Sequence, residues 1–214
     1  MANFTKTHNI YTMRKTIMLI IGMMVSVCAS ADKSPMSVSV NEATPEYFSV
    51  GNPIEYGGDK FYFAWSAHPA EIYYVQEYLP KGESFDSYKQ MFTVSVILAD
   101  LTPMQAVKAK IAELEERKKS DPVVNYVVAE NDGEYILEFI VSDSKDDKMN
   151  CVEVDIHYYR QMIIGGKKSS MLSFYSVRAY GDDIIPFMQS IPDRRQKWYE
   201  DMLKLDLQPV FKQK

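Results

Sequence analysis

The sequence predicts a single α+β domain: a central, mostly antiparallel sheet with helices packed on it. Three observations carry this expectation. After Phe61, apolar and polar residues alternate with the period of two that strands require. The strand candidates are joined by short turns such as Asn131-Asp132-Gly133, which favour hairpins and so antiparallel neighbours. Two segments, one opening at Thr102 and one near the end of the chain, instead carry an apolar stripe at helical spacing.

Residues 1–31 read as an upstream extension followed by a signal peptide. Met13-Arg14-Lys15 precedes an apolar run over 17–27 and then Ala29-Ser30-Ala31, with cleavage expected after Ala31. The run is too short to span a bilayer comfortably, so no transmembrane helix is expected in the mature chain. A lipoprotein signal with Cys28 lipidated is the alternative, disfavoured by bulky Val27. Residues 32–59 read as an N-terminal arm, partly disordered, with a strand fragment at 37–40 and turns at Gly51-Asn52-Pro53 and Gly57-Gly58. Residues 60–214 form the domain.

Within it, Phe61, Phe63 and Trp65 alternate with Tyr62, Ala64 and Ser66, which gives a strand. A turn at 67–70 and a second strand over 71–79, ended by Pro80, complete a hairpin. Ser84 is placed to cap a short helix whose Phe85, Tyr88 and Met91 turn inward, before a strand over 92–98. Thr102-Pro103-Met104-Gln105 reads as a helix start: Thr as N-cap, Pro in the first position, Gln at the capping-box site. Met104, Val107, Ile111 and Leu114 are its expected inner face, and Ser120-Asp121-Pro122 stops it. Strands are expected over 123–130, 134–143, 151–161 and 171–180. A short helix from Asp182-Asp183, broken near Pro192, and a second over 193–205 carrying Trp198, Met202 and Leu203 close the chain.

Charge narrows the partners. Export removes Lys6, Arg14 and Lys15 from 24 basic residues and nothing from 29 acidic ones, so the formal charge moves from −5 to about −8. A chain this acidic has no general attraction for nucleic acid. Loss of Cys28 leaves Cys151 as the expected lone thiol of the mature protein and excludes a cysteine-based zinc site.

Candidate chemistry is sparse. On the strand after Cys151, Glu153, Asp155 and His157 share one face, opposite Val152, Val154, Ile156 and Tyr158. Such a row suits a weakly held divalent cation or a general base, and equally a solvated strand face. No other cofactor is expected. The loop SDSKDDKMN lacks the central Gly and terminal Glu of a calcium loop and reads as a charged hairpin tip. His68 lies in a tight turn, and no nucleophile, zinc or phosphate-loop motif accompanies it. The tyrosine rows and Trp65 suit stacking on a sugar or peptide, with Tyr74, Tyr158 and Trp65 the candidates, and equally suit ordinary sheet packing.

The unit EYLPKGESFDSYKQMFTV, the helix after LTPMQAV, the strand run and the closing helix with Trp198 resemble small exported bacterial proteins of unassigned function. Their order is similar to that of the PsbP-like superfamily over about residues 60–207. The resemblance implies an α/β/α sandwich and a role in binding partners or assisting assembly. The expectation is therefore an exported (periplasmic or secreted) non-enzymatic binding or assembly module of the cell envelope, with an envelope protein or small ligand as partner. The alternative is a small hydrolase or metal-dependent enzyme using the Glu153/Asp155/His157 face.

Overall fold

The computed structural model describes residues 44–145 and 148–212. Eight strands form one antiparallel sheet in the order β2-β3-β4-β5-β9-β8-β7-β6. They are β2 (Ile54–Tyr56), β3 (Asp59–Ala70), β4 (Tyr73–Leu79), β5 (Gln90–Ile97), β6 (Asn125–Asn131), β7 (Glu134–Lys145), β8 (Lys148–Ile164) and β9 (Lys167–Tyr180). A two-stranded ribbon pairs β1 (Phe48–Ser49) with β10 (Val210–Phe211). Two α-helices are present among the described residues: α1 (Pro103–Arg117) and α2 (Ile184–Lys204). No described helix is long and apolar enough to cross a membrane.

The architecture corrects the expected helix-packed α/β/α sandwich of PsbP-like type. The sheet dominates and curls into a half-barrel, with one helix against each face. Strand length explains the curl. The twist between neighbouring strands accumulates across eight of them. At the centre, β8 runs for 17 residues and β9 for 14. A sheet coiled this far supplies part of its own cover, so fewer helices are needed.

Two helix expectations fail for identifiable reasons. Residues 84–87 form turns, and β5 begins at Gln90. The three-residue spacing of Phe85, Tyr88 and Met91 imitates a helix, but only Tyr88 and Met91 are buried while Phe85 is 41% exposed. At the other end, α2 continues through Pro192 instead of breaking there. Ile184, Phe187, Ile191, Trp198 and Met202 are buried in one cluster on both sides of the proline, and that packing outweighs propensity. Cys151, expected to be a lone thiol, is disulfide-bonded, and Cys28, the only other cysteine of the chain, lies outside the described residues. The expected signal segment and the 37–40 strand fragment also lie outside them.

Local signals fare better. Thr102 Oγ1 accepts from the Gln105 backbone N–H at 3.3 Å, and Gln105 Oε1 accepts from the Thr102 N–H at 2.9 Å, closing the capping box. Asp132 and Gly133 take φ of 51° and 78°, the mirror-image turn that matches strand twist in a two-residue hairpin. The inner face of α1 is rotated from expectation. Ala106, Val107, Lys110 and Leu114 are buried, whereas Met104 is 39% exposed.

Side chains separate cleanly by face. Val152, Val154, Ile156, Tyr158, Tyr175 and Val177 pack beneath α2 with Trp198 and Met202. Leu137, Phe139, Val141, Tyr159, Leu172 and Phe174 pack beneath α1 with Ala106, Val107 and Leu114.

Candidate functional site

Alternation along β8 puts Glu153, Asp155 and His157 on one face, as the sequence predicts, and that face lies beneath α1. Solvation is where the simple strand-face reading fails. The three residues are 0%, 0% and 3% exposed. Buried polar groups at this depth need partners, and the neighbouring strands supply them.

Register places Glu153 beside Arg178 and Asp155 beside Ser176 on β9. Arg178 Nε donates to Glu153 Oε2, and Tyr88 Oη donates to the same oxygen at 3.0 Å. The Arg178 guanidinium lies 3.9 Å from the centre of the Tyr88 ring, and Tyr180 Oη holds the Tyr88 carbonyl at 2.9 Å. The inward tyrosine of the 80–89 connection thus serves as a lid on the ion pair.

Asp155 Oδ1 accepts from Ser176 Oγ, while Asp155 Oδ2 and Glu153 Oε1 have no hydrogen-bond partner of their own. Burial, then the adjacent Glu153 charge, hold the Asp155 carboxyl well above the usual carboxylate range, against the pull of Ser176 and Lys110. Asp155 therefore favours its neutral, protonated form far more than an exposed carboxyl does. The acid form would let Asp155 donate toward Glu153, the neighbouring carboxyl that helps to raise it.

His157 completes the row. Its Nε2 is 3.9 Å from Asp155 Oδ1, and its Nδ1 is 3.0 Å from Tyr159 Oη. The ring stacks on Phe174 at 3.8 Å between centres and meets the edge of Phe139 at 4.8 Å. Burial, with Lys110 nearby, pushes its pKa well below the ordinary value, so the imidazole is neutral. Lys110 itself reaches down from α1, 3.1 Å from Glu113 Oε2 and 5.2 Å from the Phe139 ring centre. The arrangement is a polar seam between helix and sheet, able to share protons internally. Among the described residues, no group of three or more His, Cys, Asp or Glu is arranged to hold a metal ion.

The sequence reading missed Glu77. Alternation in YYVQEYL puts it on the inward face with Tyr73, Val75 and Leu79, and an acid among those apolar residues was the available signal. Register sets it between Trp65 on β3 and Thr93 on β5. The side chain keeps some solvent contact, yet burial pushes its carboxyl up to about 7, with Arg178 opposing. A folded-state value above the ordinary 4.5 means stability that is fully present below pH 4.5 and lost as pH rises through 7. Glu77→Gln is expected to raise unfolding free energy by about 2 kcal/mol at pH 8, less than the full shift implies because water reaches the group. At pH 4 it should change little. Urea denaturation at both pH values checks this; an equal gain at both, or none at pH 8, contradicts it.

The three ligand candidates do not share a surface. Trp65 is half-buried on the α1 face beside Glu77. Tyr158 is 5% exposed on the α2 face, donates to Glu134 and lies beneath Arg160, which is cross-strand packing. Tyr74 belongs to a surface cluster: its ring stacks on exposed His68 at 4.0 Å and meets Tyr47 at 5.6 Å and Phe211 at 4.9 Å.

Residues 48–207 match the model of an uncharacterised protein family, and the chain belongs to that family. No curated protein matches the chain.

Proposed function

We propose that this chain, with the family to which it belongs, is an exported non-enzymatic binding or assembly module of the cell envelope. In this reading it engages an envelope protein or small ligand through the aromatic cluster of Tyr47, His68, Tyr74 and Phe211. The observation that carries the reading is the closure of the acid-acid-histidine row. Groups that are 0–3% exposed and bonded to Arg178, Tyr88, Ser176 and Tyr159 leave no room for substrate, whereas the Tyr74 cluster offers ring faces at the surface. Export rests on residues 13–31, whose basic, apolar and small-residue segments follow signal-peptide order.

The test is capture from an envelope extract by immobilised protein, comparing wild type with Tyr74→Ala, His68→Ala and Asp155→Asn. A partner lost at least tenfold with either aromatic variant and kept by Asp155→Asn is expected. A partner indifferent to both aromatic variants, or an ion or sugar lost with Asp155→Asn, contradicts the reading.

One observation favours a second reading. Glu77 combines a carboxyl pushed up to about 7, some solvent contact and a tryptophan neighbour, which suits a general acid or base. Under that reading, a hydrolytic activity would vanish with Glu77→Gln while stability at pH 8 rises.

A further inference from the structure

Glu77 is an acid in a gap between two covers. On its face of β4, Tyr73 and Val75 belong to the cluster beneath α1, and Leu79 packs with Tyr88 and Met91 at the 80–89 connection. Glu77 lies between them and keeps some solvent contact, with half-buried Trp65 opposite it on β3. Among the described residues no donor bonds its carboxyl, which is uncommon for a group so far inside a fold. Both oxygens are free to accept.

Charge leaves the same gap. Arg178 on β9 acts on Glu77, but it is already paired with Glu153 on β8. Two carboxyl groups thus share one guanidinium, and one negative charge is unmatched whenever Glu77 is ionised. The other titratable neighbours supply no cation. Tyr73 and Tyr88 are phenols, and Lys81 Nζ stands 4.8 Å from the centre of the Tyr62 ring, in no ion pair with a described residue.

We propose that Glu77 and Trp65 form a binding site for a guanidinium group from outside the chain, carried by a small guanidino compound or by an arginine of another polypeptide. Two free carboxylate oxygens match the planar fork of a guanidinium, and the indole offers a face on which that plane can stack. An ammonium is more strongly hydrated and lacks the fork. The carboxyl must be ionised to accept it. Burial pushes that carboxyl up to about 7, so the site fills as pH rises through neutrality. The role is binding and needs no turnover, which separates it from acid-base chemistry at the same residue.

NMR of the indole N–H groups tests this, with Nα-acetylarginine amide as the probe. The chain has 2 tryptophans, and Trp198, 5% exposed on the opposite face of the sheet, is the internal control. The Trp65 signal alone should shift, with a dissociation constant on the order of 1 mM for so small a probe. Affinity should fall about tenfold from pH 8 to pH 6, with the ionised fraction of Glu77. The neutral citrulline analogue should not bind, and the lysine analogue should bind more weakly. Glu77→Gln should lose binding with its fold intact. Trp65→Ala, followed by calorimetry, should weaken it about tenfold. Ethylguanidine separates the two sources: equal affinity points to a small guanidino compound, and weaker binding points to arginine in a polypeptide. No shift at Trp65 overturns the proposal. So does a shift shared by the citrulline analogue, a lysine analogue that binds as tightly, or binding that survives Glu77→Gln or Trp65→Ala or ignores pH.

Discussion

Glu153→Gln is expected to destabilise the fold by about 3–5 kcal/mol, whereas Asp155→Asn should cost less than about 1 kcal/mol. The two positions are two residues apart on one strand, equally buried and both acidic, so their difference reports the partners each carboxyl holds: Arg178 and Tyr88 for Glu153, Ser176 for Asp155. Glu153 pairs with Arg178, whose side chain is only 8% exposed, and glutamine removes the charge opposite that buried guanidinium. Tyr88, which donates to the same oxygen, loses its charged acceptor, so the 80–89 connection should loosen with it.

Asp155 instead leans toward its neutral form. An asparagine keeps an oxygen for Ser176 and offers an N–H to Glu153 where the acid proton stood. Its pH signature follows from the raised folded-state pKa. The wild-type group contributes stability that is present below the ordinary carboxylate range and lost as pH rises through the raised value. Asp155→Asn removes that loss, so its advantage over wild type should grow on the alkaline side. Equal costs at the two positions in urea denaturation at pH 7 would contradict this assignment.

Asp121→Ala is the second large effect, again about 3–5 kcal/mol. Asp121 is 6% exposed and is the hub that ties the end of α1 to β7. Its carboxylate accepts from the Ser142 N–H and Ser142 Oγ, both at 2.7 Å, and from the Val123 N–H and Arg117 Nε, both at 3.1 Å. Arg117 in turn donates to the Ser142 carbonyl at 2.8 Å. These residues border a polar hollow of ≈ 570 Å³ between the helix end and the strand, so water reaches only part of the loss. Alanine leaves at least two buried donors without an acceptor and the guanidinium without its carboxylate. Asp121→Asn should fall between alanine and wild type. Hydrogen exchange at the Ser142 amide should accelerate before the rest of β7 does; an unfolding cost under about 1 kcal/mol would refute the hub.

What could be read from the sequence was local. The Thr102 capping box needs four consecutive residues, and the Asp132-Gly133 turn needs a left-handed pair, so both were visible without a fold. The face shared by Glu153, Asp155 and His157 follows from pleating alone. Their burial does not, because it depends on Arg178, Ser176 and Tyr88, which lie 25, 21 and 65 residues away. The same limit hid Lys110: a lysine on the inward side of α1 looks wrong until Phe139 and Glu113 are seen beside it. Glu77 is the opposite case, an inward acid that alternation in YYVQEYL alone reveals. The curl of the sheet depends on long pairings such as Cys151 with Tyr180 and Ile164 with Lys167, which no short window contains.

Carboxyl-carbon NMR of Asp155 across pH tests most directly whether the inward row is a sealed seam or a working site. A sealed seam keeps Asp155 in the protonated acid form well above the ordinary carboxylate range, with no titration near its ordinary value of 3.8. A resonance that titrates near that value, and so reports a solvated carboxylate at neutral pH, would open the row to water and return it to the list of possible active sites.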